Sequence, residues 1–314
     1  MKFPVFDLHC DTAYALLGKS LRDRGSLRKN EYHVDLERAG QLSCYAQCFA
    51  CYTTTLEDKI SPVELFEREL ATVLREVPQN SDCIQIAYNA SDVEHNYQSG
   101  QMSAILTMEG PAGIGFDPEL LADLYQIGFR MTTLGWNESN PLCGSHITGE
   151  GLSDRGKAFV GVAQALGFLV DLSHISDAGF WDVINITEKP LVASHSNSRS
   201  ICDHSRNLTD DMFLAICKTD GVVGLNLYSE FLGQTASLDT VCDHIFHFME
   251  LDPDGTHICL GGDLDGCDSL PVDFDGVQDY NKLSQRLLDR GMTPAEVMNI
   301  FWNNALGVMK RCCI

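Results

Sequence analysis

Two side chains that could bind a metal ion stand close together near the start of the 314-residue chain. His9 and Asp11 fall in the stretch Phe-Asp-Leu-His-Cys-Asp-Thr at positions 6–12, at the end of an apolar run. Residues two apart on a β-strand point to the same face, so this imidazole and this carboxylate could bind one ion together. A strand that ends in polar surface residues would carry the same pair, and the spacing alone does not decide between the two interpretations.

Four more residues of the same chemical kind each follow an apolar run of strand length, namely Glu109, His174, His195 and Asp263. Taken singly, each has a simpler explanation, such as a loop that opens at Glu109 or an exposed helix start at His174. Together, three histidines and three carboxylates suit two zinc or similar divalent ions, with a carboxylate such as Glu109 bridging them. A water shared by two such ions loses its proton near neutral pH, which indicates hydrolytic chemistry.

A barrel of parallel strands would bring these six residues together. Apolar segments alternate with segments of helical periodicity, which predicts repeated strand–helix units. Eight strands are predicted at residues 3–8, 42–52, 103–109, 129–136, 168–173, 190–194, 221–227 and 257–262. A ninth candidate, residues 83–87, is placed outside the barrel. The pattern predicts a single-domain (β/α)8 TIM barrel of the metal-dependent hydrolase type over residues 1–314, and active sites of this fold lie at the C-terminal ends of the strands.

The helices between the strands are marked by residues typical of helix ends. Ser61, Pro62 and Glu64 predict an N-terminal capping box for the first long helix, and Gly128 and Gly167 are expected to end two later ones. The predicted helices cover residues 61–77, 117–128, 153–167, 208–221 and 293–310.

The charge balance bears on the kind of partner. With 44 acidic and 22 basic residues the chain has a formal net charge of -22, which argues against nucleic acid or an anionic membrane as a partner. No apolar run is long enough to span a membrane and no signal peptide is evident, so a cytoplasmic protein acting on small molecules is expected. The thirteen cysteines are expected to be reduced and mostly buried.

Taken in order, these motifs resemble the renal (membrane) dipeptidase family of zinc dipeptidases, within the amidohydrolase superfamily. The resemblance runs from about Phe6 to Val308 and is carried by the His-x-Asp start, the Glu-Gly after the third strand, and the segments LYQIGFRMTTL, GLSDRG…LGFLVDLSHIS, SHSNSRSICDHSRNL and LGGDLDG. It implies a barrel enzyme that hydrolyses dipeptides and binds two Zn²⁺ ions per chain. A homodimer is common in that family.

The resemblance also implies a role for each candidate residue. Asp263 would handle the proton of a hydroxide that bridges the ions, and Arg206 would bind the free carboxylate of the substrate. The implied metal ligands are His9 and Asp11 for one ion, His174 and His195 for the other, and Glu109 as the bridge between them.

One position departs from the family pattern. Members such as the renal enzyme carry a histidine after the fourth strand that helps to polarise the scissile carbonyl, whereas this chain has Trp136 there, in TLGWNESN. A tryptophan donates only through its indole N–H and carries no charge. Trp136 and the neighbouring Asn137 are assigned to substrate binding, with Asn137 or the zinc as the alternative contact for the carbonyl and Trp136 as a plain wall of the pocket.

Two other functions fit the same residues. The chain could be a different amidohydrolase-type barrel enzyme, such as a cyclic amide or lactone hydrolase, or a catalytically silent homologue that binds metal. Arg206 favours a substrate amide that bears a carboxylate over the first alternative. Asp263 argues against the second, because a protein that only binds metal has no need for a proton-transfer group.

Overall fold

The computed structural model describes residues 2–18, 25–56 and 59–313. Its nine strands are β1 Val5–Cys10, β2 Tyr45–Tyr52, β3 Ile84–Ile86, β4 Met102–Glu109, β5 Phe129–Thr133, β6 Leu169–Asp171, β7 Leu191–Ala193, β8 Val222–Leu225 and β9 Ile258–Leu260. Eight of them form a closed parallel barrel in the order β1-β2-β4-β5-β6-β7-β8-β9, with β9 pairing back to β1. The predicted (β/α)8 barrel is therefore confirmed.

Strand β3 lies outside this ring, as predicted for residues 83–87. It pairs with the first half of β4, from Ile84 opposite Met102 to Ile86 opposite Ala104. The same edge of β4 pairs with β5 only from Leu106 onward. The other edge of β4 pairs with β2 from Ser103 to Glu109 and closes the barrel.

Helices cover the outside of the barrel. They are α1 Thr12–Ala15, α2 Leu36–Ala39, α3 Pro62–Gln79, α4 Ala90–Gln98, α5 Leu121–Ile127, α6 Asp154–Leu166, α7 Asp177–Ile186, α8 Asp210–Lys218, α9 Ser229–Leu232, α10 Leu238–Leu251, α11 Tyr280–Asp289, α12 Pro294–Met298 and α13 Asn304–Cys312. A π-helical turn at residues 299–303 divides the last predicted helix in two. Across the described ranges, no helix combines the length and the apolar character that crossing a membrane would require.

The helix ends largely follow the predicted signals. The Ser61 hydroxyl accepts the Glu64 N–H at 3.2 Å, with Pro62 in the first turn of α3. The Glu64 carboxylate differs from the prediction, because it pairs with Arg68 one turn further along instead of completing a capping box. A long side chain on an exposed first turn can reach either partner, and a cation four residues away competes with the backbone N–H.

The barrel separates two apolar clusters. The inner cluster takes residues from all eight barrel strands, among them Phe6 and Leu8 of β1, and Trp302 packs on Phe6 with ring centroids 5.8 Å apart. The outer cluster lies between the strands and the helices and includes Val5 and Cys10 of β1. The thirteen cysteines all fall within the described residues and are unpaired, and eight of them are buried.

Helix α10 contributes a buried histidine that supports the loop after β7. His244 is fully buried; its Nδ1 accepts the Ser198 N–H at 3.1 Å and its Nε2 donates to the Leu232 carbonyl at 3.3 Å. Burial lowers the pKa of His244 to about 4. Protonation would place an N–H against the Ser198 N–H, so the neutral form belongs to the folded state.

His244 should therefore make folding stability depend on pH. Between about pH 6.5 and pH 4 the unfolded histidine binds a proton that the folded one does not, so stability falls as the pH falls through this window. Between pH 7 and pH 5 the parent should lose roughly 2 kcal/mol of its free energy of unfolding through His244. His244→Gln can accept and donate without titrating, so this part of the loss should be absent from the variant. Urea unfolding of the metal-free protein at the two pH values measures this, with exposed His95→Gln as the control. Equal pH dependence in His244→Gln and the parent would contradict the assignment.

Candidate metal centre

The C-terminal ends of the barrel strands bring the six predicted residues to one place. All six are buried, with at most 9% of any one exposed. They come from β1, β4 and the segments just beyond β1, β6, β7 and β9, the end of the barrel where active sites of this fold lie. The residues are His9, Asp11, Glu109, His174, His195 and Asp263; the first five are called the candidate metal centre below.

The two carboxylate oxygens of Glu109 face different side chains. Its Oε2 lies 3.5 Å from Nε2 of His9, which is itself 3.4 Å from Asp11 Oδ2. Its Oε1 lies 2.8 Å from Nε2 of His174 and 3.6 Å from Nε2 of His195. This is the arrangement that a carboxylate bridging two ions would need.

An extra residue in β1 turns His9 toward the barrel interior. Asp7 pairs with Gln47 on β2 and Cys10 with Phe49, so three residues of β1 stand opposite two of β2. Leu8 belongs to the inner apolar cluster and Cys10 to the outer one, although they are two residues apart. A β-bulge of this kind re-aims the side chain next to it and is common near active sites.

Two of the histidines, His174 and His195, are called the distal histidines below. Hydrogen bonds fix which nitrogen of each one carries the proton. Nδ1 of His174 lies 2.9 Å from the Asn137 amide oxygen, and Nδ1 of His195 lies 2.7 Å from the Ser194 hydroxyl. Ser194 donates its own proton to the Asp171 carboxylate, so it accepts from His195. Both Nε2 atoms therefore carry lone pairs.

These lone pairs indicate that a cation belongs in the centre. Nε2 of His174 and Nε2 of His195 are 2.9 Å apart, and two lone pairs at this distance repel unless a cation accepts both. The buried Asp11 Oδ1 has no hydrogen-bond partner among the described residues. Imidazole nitrogens and carboxylate oxygens are ligands that suit zinc and similar divalent ions, so the residues present fit the predicted metals.

The charges of the centre point the same way. Burial lowers the pKa of His9, but the Glu109 and Asp11 carboxylates outweigh it and raise this pKa to about 10. Burial, with the neighbouring Asp11 charge, raises the pKa of Glu109 well above its usual range. Burial raises the pKa of Asp263 to about 6. Burial thus disfavours the charged forms of these carboxylates in the metal-free site, and a bound divalent cation would favour them.

Asp263 is held at the edge of the centre by its backbone and by Asn226. Its φ of 54° is uncommon for a residue other than glycine. Its Oδ2 accepts the Asn226 side-chain N–H at 3.0 Å, and its Oδ1 lies 3.8 Å from Nε2 of His9. A Cβ at Gly266 would collide with the Asp11 and Asp263 carboxylates, so only glycine fits there.

An open cleft of about 430 Å³ lies above the centre. Trp136, Tyr52 and Tyr14 form an aromatic row on it, with edge-on ring contacts at 5.1 Å and 5.8 Å. Of the described residues that line the cleft, Arg206 alone carries a permanent positive charge. The lining residues are Asp11, Tyr14, Tyr52, Glu109, Trp136, Asn137, His174, Arg206, Tyr228, Phe231, Asp263, Asp265, Gly266, Cys267 and Asp268.

Arg206 is buried within this cleft, with 4% exposed. Its Nη2 donates to the His195 carbonyl at 3.3 Å, and its guanidinium lies 5.4 Å from the centre of the Phe231 ring. Its Nε has no hydrogen-bond partner among the described residues. A buried cation without a paired carboxylate is suited to an anionic group of a bound molecule.

The structure places Trp136 and Asn137 beside His174. The Trp136 and His174 ring centroids are 6.2 Å apart. The Asn137 amide oxygen lies between Nδ1 of His174, at 2.9 Å, and Nε2 of His146, at 3.0 Å. His146 also contacts the Ser205 hydroxyl at 2.8 Å, which links this group to the segment that carries Arg206.

Sequence reasoning did not assign several residues that support the centre. Asn226 follows β8, so the rule that polar residues after barrel strands belong to the site could have found it. Asp171 lies three residues before His174 and Ser194 directly precedes His195, but neither is assigned a role from the sequence. No spacing signal in the sequence points to the bond between His146 and Asn137.

Comparisons with known proteins find sequences similar to this chain. Residues 1–312 match the family described as membrane dipeptidase, peptidase family M19. An uncharacterized dipeptidase, C3A11.10c, of Schizosaccharomyces pombe is 32% identical over 229 residues, which cover 71% of this chain but only 56% of that protein. The dipeptidase aclJ of Aspergillus oryzae is 31% identical over 292 residues, 88% of this chain and 69% of that protein.

A solved structure shows the same fold. It is a metallo peptidase from Rhodobacter sphaeroides liganded with a phosphinate mimic of the dipeptide L-Ala-D-Ala. The two share 24% sequence identity and superpose with a TM-score of 0.89 over 99% of this chain and 100% of that one.

Proposed function

The chain belongs to the membrane dipeptidase family, peptidase family M19, and we propose that it hydrolyses dipeptides with two zinc ions in the candidate metal centre. The observation that carries the proposal is the Glu109 carboxylate, whose two oxygens face His9 on one side and His174 and His195 on the other. His9 and Asp11 would hold one ion, and His174 and His195 the other. When bound, the ions supply polarisation of a carbonyl and a water that is deprotonated near neutral pH.

Asp263 is proposed as the group that moves the proton. Asn226 holds its Oδ2, which leaves its Oδ1 turned toward the centre, 3.8 Å from Nε2 of His9. A carboxylate in this place can accept the proton of the attacking water and deliver it to the leaving amine. Its location beside both the ligands and the open cleft supports this role.

Arg206 is proposed to bind the substrate's free carboxylate. The other charged groups that line the described part of the cleft are acidic, among them Asp11, Glu109 and Asp263. They would repel a carboxylate everywhere except beside the guanidinium, so the substrate's C-terminus has one favourable place. A bidentate pair there fixes orientation as well as charge.

Replacing Arg206 by methionine should weaken this contact specifically. We expect kcat/KM for dipeptides with a free C-terminus to fall by about ten- to a hundredfold, equivalent to roughly 1.5–3 kcal/mol for a charged hydrogen bond. C-terminally amidated dipeptides should be poor substrates of both proteins. Arg199→Met is the matched control, because Arg199 lies on the same loop but is paired with Asp177. Equal cleavage of amidated and free dipeptides by the parent would rule out the clamp.

Trp136 and Asn137 are proposed to contact the substrate. The row formed by Trp136, Tyr52 and Tyr14 offers an apolar surface against which a side chain of the dipeptide can pack. The Asn137 oxygen is engaged by His174 and His146, so its amide hydrogens are the groups suited to donate to a substrate oxygen.

A dipeptide library assayed on zinc-loaded protein tests the function. It includes L-Xaa-D-Xaa pairs, because the Rhodobacter sphaeroides structure holds a mimic of L-Ala-D-Ala. Release of free amino acids from dipeptides is the expected result. Turnover of lactones or cyclic amides without turnover of any dipeptide would favour a different amidohydrolase activity, and bound zinc without any turnover would favour a silent homologue.

A further inference from the structure

We propose that two buried carboxylates outside the candidate metal centre, Asp7 and Asp171, position its two halves separately. Asp7 would set His9 at the end of β1, and Asp171 would set His174 and His195 relative to each other. The inference rests on the proposed function in one respect, namely that the centre binds two ions.

Asp171 joins the two segments that carry the distal histidines. It ends β6, and its side chain shares the inner face of the barrel with Leu169. Its Oδ1 accepts the N–H of Ser173, at 3.0 Å, and the N–H of Ser194, at 2.9 Å. These two residues directly precede His174 and His195, so one carboxylate oxygen fixes both segments where regular strand pairing has ended.

The second oxygen of Asp171 acts on His195 through Ser194. It accepts the Ser194 hydroxyl proton, and the Ser194 oxygen accepts the proton on Nδ1 of His195. The carboxylate can only accept, so the chain of donors runs one way and leaves the lone pair on Nε2, the atom that faces Glu109. Reversal of this chain would place a proton on Nε2 and remove the ligand.

Asp7 occupies the equivalent place for the other half, but on the outer face of the barrel. Its Oδ1 accepts the His9 N–H at 2.9 Å and so closes the β-bulge that turns His9 inward. The same carboxylate accepts the N–H of Gly262, at 3.1 Å, on the segment that leads to Asp263. The Tyr280 hydroxyl donates to its Oδ2, and a Cβ at Gly262 would collide with that hydroxyl.

The two carboxylates thus perform the same task on two strand pairs. Each accepts the N–H of the residue two positions ahead and an N–H from the adjoining barrel strand's extension, β9 for Asp7 and β7 for Asp171. Backbone N–H groups in such irregular segments need an acceptor when they are buried. Each strand pair carries the ligands or the proton-transfer group on one side of Glu109, which is why the two halves should respond separately.

Asp171→Asn and Ser194→Ala test the inner carboxylate. An amide can donate to the Ser194 oxygen, which would turn the Ser194 hydroxyl toward His195 and reverse the chain. Loss of such an outer contact typically costs about 10- to 100-fold in metal affinity. We expect Asp171→Asn to lower the affinity for the ion at His174 and His195 by this factor. The affinity for the ion at His9 and Asp11 should stay within about twofold of the parent value. Ser194→Ala removes only the hydroxyl, and it should lower the affinity for the ion at His174 and His195.

Asp7→Asn and Tyr280→Phe test the outer carboxylate. Both should lower the affinity for the ion at His9 and Asp11 and leave the affinity for the other ion unchanged. The effect should be larger in Asp7→Asn, because that change alters the bond to the His9 N–H. Glu76→Gln is the matched control. Glu76 is a buried carboxylate on α3, away from the strands that carry the ligands, and it accepts the Leu27 N–H at 2.9 Å. It should leave both affinities unchanged.

The readouts are zinc affinities from competition with a chromophoric chelator and anomalous-scattering occupancies of each ion in crystals grown with limiting zinc. The proposal is supported if the Asp171 variant loses occupancy of the ion at His174 and His195 and the Asp7 variant loses occupancy of the ion at His9 and Asp11. Equal loss of both ions in every variant, or changes below twofold in all of them, overturn it. If an aspartate variant fails to fold, Ser194→Ala and Tyr280→Phe decide in the same way. A parent protein that binds two ions but cleaves no dipeptide would refute the proposed function and leave this test intact.

Discussion

Replacement of Asp263 by asparagine is expected to lower kcat by roughly 10²–10⁴-fold while the zinc content stays unchanged. An amide has nearly the same shape as the carboxylate but cannot take up a proton, so the attacking water loses its acceptor and the leaving amine its donor. The Asn226 N–H that now bonds to Asp263 Oδ2 can bond to an amide oxygen instead. Asparagine also tolerates the φ of 54° at this position better than most residues.

Turnover and bound zinc should be measured on the same Asp263→Asn preparation, so that lost catalysis is separated from lost metal. Asp268→Asn is the matched control, because Asp268 lies exposed on the same loop at the cleft. We expect it to keep kcat within a few-fold. An Asp263→Asn protein with full zinc and near-parental kcat would remove Asp263 from the mechanism.

Removal of metal should have the second large effect. After dialysis against a chelator we expect dipeptide turnover to fall to background, and two equivalents of zinc to restore it. Each zinc ion should also stabilise the fold, by about 4 kcal/mol at a free concentration 1,000 times its dissociation constant. The reason is that the facing Nε2 atoms of His174 and His195 and the crowded carboxylates of Asp11 and Glu109 repel in its absence.

Thermal unfolding with and without zinc follows the stability, and a dipeptide assay on the same samples follows the activity. Magnesium is a useful control, since it prefers oxygen ligands and sites that keep several waters. Full activity in protein shown to be free of metal would contradict the binuclear account. Restored activity without any rise in the unfolding temperature would mean that zinc acts elsewhere.

The location of the site could be predicted from the sequence because of a property of parallel barrels. Their strands end at one rim, so polar residues after apolar runs meet there even when they are far apart in the chain. This reasoning found residues as far apart in the sequence as His9 and Asp263. In the structure, Nε2 of His9 lies 3.8 Å from Oδ1 of Asp263. Applied to β8 as well, it would also have found Asn226.

The local turns that aim these side chains could not be predicted. Strict alternation along β1 would put Asp7 on the same face as His9, whereas the bulge puts them on opposite faces, and nothing in Phe-Asp-Leu-His-Cys-Asp marks the extra residue. His174 is similar, because its φ of 70° belongs to a conformation that histidine adopts infrequently. Such turns depend on tertiary acceptors such as Asp171, not on the propensity of the residues themselves.

The most direct test of the central claim is an anomalous-scattering map at the zinc edge from crystals grown with ample zinc. The account predicts two peaks roughly 3.5–4 Å apart, with one oxygen of Glu109 toward each, His9 and Asp11 at the first peak, and His174 and His195 at the second. A single peak, or peaks away from Glu109, would contradict it.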